Sequence, residues 1–296
     1  MIKRTFLFLT ITLFISSLYA QKEKKTYYES GEIRKVVKYE NGKLSGDYKS
    51  YYKSGKIEEI GIYKDGELTG GYKWYYESGK LKESGKFQNG KLTDVRKMYY
   101  ESGQLKGVGK FKDNLPIDGW KSYYEDGKIK EIGIITDNKN RTIEIENYYN
   151  DGQIKETRNY TNDNKIGEWK SYYQKGQLKE LFNYKNGKLT DVYKVYYENG
   201  QLKELFNYKD GKLTGACNVY YENGQLKNSA IIETGTGKSY YENGQIKEIR
   251  NYANNKKTGE WKFYYQNGQL KRIGKYENGK IIGEFKHYNK DGSLQN

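Results

Sequence analysis

The chain has 296 residues, with 53 Lys and Arg against 38 Asp and Glu, and a net charge of +15. Apolar residues make up 35% and much of that is tyrosine, so Leu, Ile, Val and Phe are too sparse for a thick globular core. Low hydrophobicity with high charge often means disorder, but 16% aromatics at fixed spacing exclude it here.

At the N-terminus, Lys3 and Arg4 precede an apolar stretch from Phe6 to Leu18, and Leu18-Tyr19-Ala20 precedes Gln21. Residues 1–20 therefore read as a secretory signal peptide cleaved after Ala20, with an uncleaved anchor as the alternative. The expected destination is outside the cytoplasm: extracellular, outer-surface or periplasmic. The segment has no cysteine, which excludes a lipid on a new N-terminal cysteine. Cys217 is the single cysteine, so no intrachain disulfide can form. Residues 21–26 read as a short linker.

From Tyr27 the signature Tyr-Tyr-x-x-Gly recurs to the end of the chain. It begins at Tyr27, Tyr51, Tyr75, Tyr99, Tyr123, Tyr148, Tyr172, Tyr196, Tyr220, Tyr240 and Tyr264. A degenerate twelfth copy runs from His287-Tyr288 to Gly292, with one extra residue before the glycine. The step is 24 residues, except 25 before Tyr148, 20 before Tyr240 and 23 before His287. Such a period marks an array whose units bury their surface against their neighbours. Residues 27–296 are read as one domain of about twelve repeats. Residues 133–147 lose the second turn motif of their repeat and gain Ile-rich alternation, including Ile143 and Ile145, and residues 228–239 are four residues short.

The unit Trp169–Leu189 contains Tyr-x-x-Gly-x-Leu twice, at Tyr173–Leu178 and Tyr184–Leu189. Asn-Gly or Asp-Gly fills many of these turns, as at Asn186-Gly187, Asn199-Gly200, Asp210-Gly211, Asn243-Gly244 and Asn267-Gly268. That dipeptide signals a two-residue type I′ hairpin, which needs positive φ at both positions. Proline occurs once, at Pro116, so ladders run almost uninterrupted. The expected fold is all-β: an elongated, single-layer, twisted antiparallel sheet of tandem hairpins.

A two-residue turn at Lys175-Gly176 would pair Tyr173 with Leu178, set Tyr172 against Lys179 and set Trp169 against Phe182. Alternation then puts Trp169, Tyr173, Leu178, Phe182, Tyr184 and Leu189 on one semi-buried face. Gly61, Gly85, Gly109 and Gly133 take the Phe182 position in other units, where an opposite aromatic can cover the bare backbone. The first tyrosine of each pair would lie on the other face beside a lysine. The candidate binding stripe is Tyr75/Lys82, Tyr99/Lys106, Tyr123/Lys130, Tyr148/Lys155, Tyr172/Lys179, Tyr196/Lys203, Tyr220/Lys227, Tyr240/Lys247 and Tyr264/Lys271. Tyr27/Arg34 fits the rule and Tyr51/Glu58 breaks it. The stripe reads either as a cation–aromatic binding surface or as lysine stems covering tyrosine rings.

Catalytic chemistry is not legible. His287, the one histidine, falls in the first-tyrosine position of the last copy and has no nucleophile or metal ligands at readable spacing. Cys217 takes the Trp169 position and reads as a small inert residue. Gly237-Lys238-Ser239 imitates the end of a phosphate loop, but Ile232 stands where that loop needs glycine. The acidic residues read as scattered through turns. No enzyme activity, cofactor or metal is expected.

The unit Tyr-Tyr-Glu-Asn-Gly-Gln-Leu-Lys-Glu-Leu-Phe-Asn-Tyr-Lys-Asp-Gly-Lys-Leu-Thr-Gly, Tyr196 to Gly215, resembles the bacterial variant of the MORN repeat (membrane occupation and recognition nexus). It is also similar to the YwqK-like family, commonly labelled an antitoxin. The resemblance covers residues 27–292 and implies stacked antiparallel hairpins, with membrane association or protein scaffolding as the role. Some relatives carry lipid-kinase labels through a kinase domain that this chain lacks. The expected function is an exported binding scaffold or adhesin-like module for a protein partner or an anionic membrane or glycan surface. The alternative is an antitoxin or immunity-like protein that occupies one partner. Nucleic acid is not an expected partner, because export argues against it, and self-association through the semi-apolar face is allowed.

Overall fold

A computed structural model describes residues 22–295. The leader expected over residues 1–20 lies outside the described residues. Among the described residues there are 26 strands and no helix. Residues 22–26, expected as linker, belong to a strand, Lys22–Tyr27, that pairs with Ile33–Glu40. The chain divides into two compact units. One contains the residues up to Gly103 with Phe111–Leu115, and the other contains Gln104–Lys110 and the chain from Pro116 onward.

Within each unit the strands are antiparallel and pair with their neighbours in sequence. The first unit runs through Gly46–Tyr51, Ile57–Lys64, Glu67–Tyr75, Leu81–Gln88 and Lys91–Tyr99. The second continues the same hairpins to Lys280–His287. Residues 133–147, despite the missing motif, form a full hairpin in which Gly133 faces Ile145 and Ile135 faces Ile143.

The two turns of a repeat differ, although both read Tyr-x-x-Gly-x-Leu. At the second turn, Tyr184 pairs with Leu189 and Lys185 with Lys188, and Asn186 and Gly187 have φ of 49° and 76°. This is the expected type I′ geometry. The first turn has a three-residue loop instead. The Gly176 N–H donates to Tyr173 O at 2.9 Å, the Tyr173 N–H donates to Gln177 O at 2.8 Å, and only Gly176 has positive φ. Asn199-Gly200, Asn243-Gly244 and Asn267-Gly268 follow this second pattern and are not type I′ turns. Asparagine is useful there through its side chain: Asn199 Oδ1 accepts from the Gln201 N–H at 2.9 Å, and its amide donates to Glu222 O of the next repeat.

The longer loop shifts the pairing by one residue, and a β-bulge then restores it. Tyr172 pairs with Leu178, Lys179 is the extra residue, and Ser171 pairs with Glu180. Beyond the bulge the expected register holds, with Trp169 opposite Phe182. A further irregularity follows many of the second turns, although the hairpin of Leu226–Ile231 and Thr236–Tyr240 has none. Leu205 pairs with Asn218 but Asn207 pairs with Thr214, and Gly215 has a φ of 62°. The Asn207 amide ties this bulge by donating to Ala216 O at 2.9 Å.

One face carries what core there is. Val37, Tyr48, Tyr72, Trp169, Val195 and Trp261 are its buried apolar side chains. Trp169 packs its ring against Tyr160, Phe182 and Tyr184, and its indole N–H donates to Asn159 O at 3.2 Å. The covering of glycine by aromatics also holds. A Cβ on Gly133 would lie 2.4 Å from the Trp120 ring, and one on Gly85 would lie 2.8 Å from that of Tyr72. At Gly61 the close neighbour is Leu68 instead.

Candidate functional site

The bulge redistributes the expected tyrosine–lysine stripe. The first tyrosines do not face the lysines. Tyr75, Tyr123, Tyr148, Tyr172, Tyr196, Tyr220, Tyr240 and Tyr264 pair with Leu81, Ile129, Ile154, Leu178, Leu202, Leu226, Ile246 and Leu270. Leu178 thus leaves the face expected for it. The lysines lie over the second tyrosines, on the aromatic face. Lys82, Lys130, Lys155 and Lys179 stand 5.6–5.8 Å from the ring centres of Tyr76, Tyr124, Tyr149 and Tyr173. Lys203, Lys227, Lys247 and Lys271 stand 5.2–5.6 Å from those of Tyr197, Tyr221, Tyr241 and Tyr265. Tyr99 and Lys106 belong to different compact units.

The second tyrosines also hold the repeats together. The Tyr173 hydroxyl donates to Tyr196 O of the next repeat at 2.8 Å, and Tyr197 does the same to Tyr220 O at 2.9 Å. The bond recurs from Tyr28 to Tyr51 O, Tyr52 to Tyr75 O, Tyr149 to Tyr172 O and Tyr241 to Tyr264 O. It ends on Tyr288: Tyr265 donates to Tyr288 O at 2.9 Å. The last repeat is therefore in normal register. Tyr288 is its first tyrosine, Asn289 takes the second position and closes the turn with Gly292, and there is no extra residue. His287 sits on the strand opposite Arg272, in the position of Ser171, and not in the first-tyrosine position.

A row of carboxylates on the aromatic face was missed by sequence reasoning. Glu59, Glu83, Glu131, Glu156, Glu180, Glu204 and Glu248 lie within strands, not turns, opposite Ser, Asn or an apolar residue. The recurring Leu-Lys-Glu triplet after the first turn was the available signal. Ser171 Oγ donates to Glu180 at 3.1 Å, and the Trp120 indole N–H donates to Glu131 at 2.6 Å. Glu83 is the most enclosed, at 6% exposure. Arg96 grips both its oxygens, at 2.9 and 2.7 Å, and the Tyr72 hydroxyl donates to it at 2.6 Å. Desolvation, and then Glu83, raise the Tyr72 hydroxyl well above the usual phenol range. Desolvation first, and then Glu59, push Tyr48 up to about 12.

The opposite face carries a different row. In the first unit Lys49 pairs with Ile60, Ile60 with Lys73, Lys73 with Ser84 and Ser84 with Lys97. In the second, Lys170, Leu181, Lys194 and Leu205 follow one another, and later Lys238, Ile249, Lys262, Ile273 and Lys286. Lysines two strands apart are separated by roughly 10 Å. A shallow groove of about 580 Å³ on this side of the first unit is lined by Ile60, Lys73, Lys97 and Tyr99. No cluster of three or more His, Cys, Asp or Glu with metal-binding geometry occurs among the described residues. Burial raises the Cys217 thiol, the opposite of an activated nucleophile.

No curated protein matches the chain. It is similar to chains in two crystal structures, titled TcdB2-TccC3-Cdc42 and TcdB2-TccC3-TEV. The identities are 10% and 11% and the TM-scores 0.20 and 0.17. The alignments cover 93% and 89% of this chain but only 17% and 16% of those chains, so it spans about a sixth of their length. The MORN repeat variant matches ten segments: residues 44–65, 68–89, 95–113, 120–135, 141–162, 165–186, 192–210, 213–230, 233–254 and 257–278. Those segments, and the tyrosine-bonded hairpins they trace, make this chain a member of the MORN repeat variant family.

Proposed function

We propose that this protein is an exported, non-enzymatic binding scaffold that docks through its lysine face onto an anionic surface. The observation behind this is the alternation of lysine with Ile, Leu or Ser in cross-strand register, Lys49-Ile60-Lys73-Ser84-Lys97 being the clearest run. Lysine supplies charge and the aliphatic neighbours supply contact area; Lys49, Lys73 and Lys97 are not consumed by packing as the tyrosine-covering lysines are, whereas Lys170 and Lys262 of the second unit are ion-paired to Glu168 and Glu260. The reading moves the contact surface from the expected tyrosine–lysine stripe to the opposite face. The leader-like segment Lys3–Ala20 supports export.

The test is sedimentation of the chain with anionic and zwitterionic vesicles at low and high salt. Binding to anionic vesicles alone, lost in salt and weakened by Lys49→Gln, Lys73→Gln and Lys97→Gln together, is expected. Equal binding to both vesicle types, or binding indifferent to the triple substitution, would sink the proposal.

A further inference from the structure

The repeat array contains its own template for a cation site, and one repeat leaves that site open. At nine second tyrosines among the described residues an Arg or Lys stands 5.2–5.8 Å from the ring centre. Tyr52 is different, because the residue at the cation position is Glu58. No cation lies over the Tyr52 ring among the described residues. Ser50, only 2% exposed, donates to Glu58 at 3.2 Å. The neighbouring Glu59 accepts from the Tyr48 hydroxyl at 3.3 Å. Neither carboxylate is in an ion pair among the described residues.

These groups line a groove of about 440 Å³ in the first unit, walled by Tyr28, Tyr48, Tyr52 and Trp74. That volume is in the range of small-ligand sites. The Trp74 indole nitrogen is buried without a hydrogen-bond partner, leaving a donor beside the carboxylates. Desolvation first, and then Glu58, Glu77 and Glu101, raise the Tyr52 hydroxyl. Arg34, Lys35 and Lys82 also line the groove, but they stand over the rings of Tyr28, Tyr48 and Tyr76 at 5.8, 5.9 and 5.6 Å.

We propose that this groove binds a single ammonium group from outside the chain, seated over Tyr52 and against Glu58 and Glu59. Tyrosine faces with carboxylates are suited to such groups, and quaternary ammonium is the favoured guest of aromatic walls. A polycation is disfavoured, because Arg34 and Lys35 flank the groove and the chain carries +15 overall. The ammonium could belong to a small molecule or to a lysine side chain of a partner, and the probes separate these sources.

The experiment titrates the full chain with choline, and separately with acetyl-Gly-Lys-Gly-amide, following the Trp74 indole N–H signal by NMR. Saturable binding with Kd of about 1 mM or tighter is expected for at least one probe. Glu58→Lys supplies the cation that other repeats carry, so it should weaken binding at least about tenfold while leaving the melting temperature unchanged or raised. Glu58→Gln removes the charge alone and should weaken binding in the same direction. Choline binding points to a small-molecule source, and binding of the peptide alone points to a lysine side chain. Salt should weaken either only modestly, because it screens the pull of Glu58 and Glu59 and the repelling net charge together, whereas docking of the lysine face onto vesicles is lost in salt. Failure of both probes, or binding that survives both Glu58 substitutions, overturns the proposal without touching the vesicle reading.

Discussion

Tyr173→Phe isolates the bond that joins neighbouring repeats. The substitution keeps the ring and removes only the hydroxyl that donates to Tyr196 O at 2.8 Å. A hydrogen bond of this kind contributes about 0.5–1.5 kcal/mol net. The cation–aromatic contact with Lys179, at 5.8 Å, survives and is worth about 0.5–1 kcal/mol at an exposed site. Lys179→Gln removes that second contribution alone. The two should therefore add, with a coupling under about 0.5 kcal/mol. Tyr173→Leu, which deletes the π-face, should couple to Lys179→Gln by roughly the full cation–aromatic amount. Tyr173→Phe and Tyr241→Phe, several strands apart, should add as well, because repeat stability is a sum of nearest-neighbour terms. The assay is guanidinium unfolding of the full chain, followed by far-UV circular dichroism and by fluorescence, with coincident transitions required for a two-state reading. A Tyr173→Phe variant as stable as the parent, beside a Lys179→Gln variant that is clearly weaker, would refute the reasoning: the ring–cation contact would then carry the interface.

Arg96→Ala should cost about 3–5 kcal/mol, because it strands Glu83 at 6% exposure without its cation; restoration of most of that loss by Glu83→Gln in the same chain would confirm the cause. Gly133→Ala should destabilise by about 1–3 kcal/mol, since its Cβ would meet the Trp120 ring at 2.4 Å, while Gly61→Ala should be milder because Leu68 Cδ1, the end of a flexible chain, can move; thermal melts rank the two. At high pH the fold should weaken in a defined window. Tyr48 and Tyr193 are held at about 12 by desolvation, with nearby glutamates adding to it. A raised folded-state pKa means that their contribution is complete below the unfolded value near 10 and is lost as pH rises through about 12. Melting temperature against pH, alongside tyrosinate absorbance, checks this; a loss that is complete before any tyrosinate forms would assign it to lysine instead.

The aromatic face was legible because parity survives the bulge: Trp169 meets Phe182 whether the turn has two residues or three. What failed was the turn itself, and with it the partner of every lysine in the stripe. The same spacing, Tyr-x-x-Gly-x-Leu, serves both turns. The residue before the glycine separates the two turns in only some of the repeats. Type I′ needs positive φ there, and the second turns supply Asn41, Asp65, Asn89, Asn186, Asp210 and Asn278, all in that conformation. Some first turns place Ser30, Ser54, Ser78, Ser102 and Lys175 there, residues that resist it, but others carry Asp126, Asp151, Asn199, Asn223, Asn243 and Asn267, which do not. Reading the serines and Lys175 would have given the three-residue loop in those repeats, whereas Asn199, Asn243 and Asn267 point to the wrong turn. The glutamate row was hidden for another reason. A carboxylate on a semi-buried face is tolerated only through partners on other strands, such as Ser171 nine residues before Glu180 and Trp120 eleven before Glu131, and those pairs become legible only once the register is known.

The irregular repeats show which part of the unit is held constant. Residues 228–239 are four short, yet Tyr221 still donates to Tyr240 O at 2.9 Å across 19 residues instead of 23. Tyr124 reaches Tyr148 O at 2.7 Å across 24. The length change is absorbed at the other end of the hairpin, where Gly235 N–H closes a turn on Ile231 O and Glu233 caps the Gly215 N–H at 2.6 Å. Insertions and deletions are thus carried by the second turns, while the first turns stay locked by the tyrosine bond and its covering cation. Function that depends on regular spacing belongs near the locked turns. The Tyr52 groove is built there, where a change of one residue, lysine to glutamate, opens a site without disturbing the Tyr52-to-Tyr75 bond beneath it.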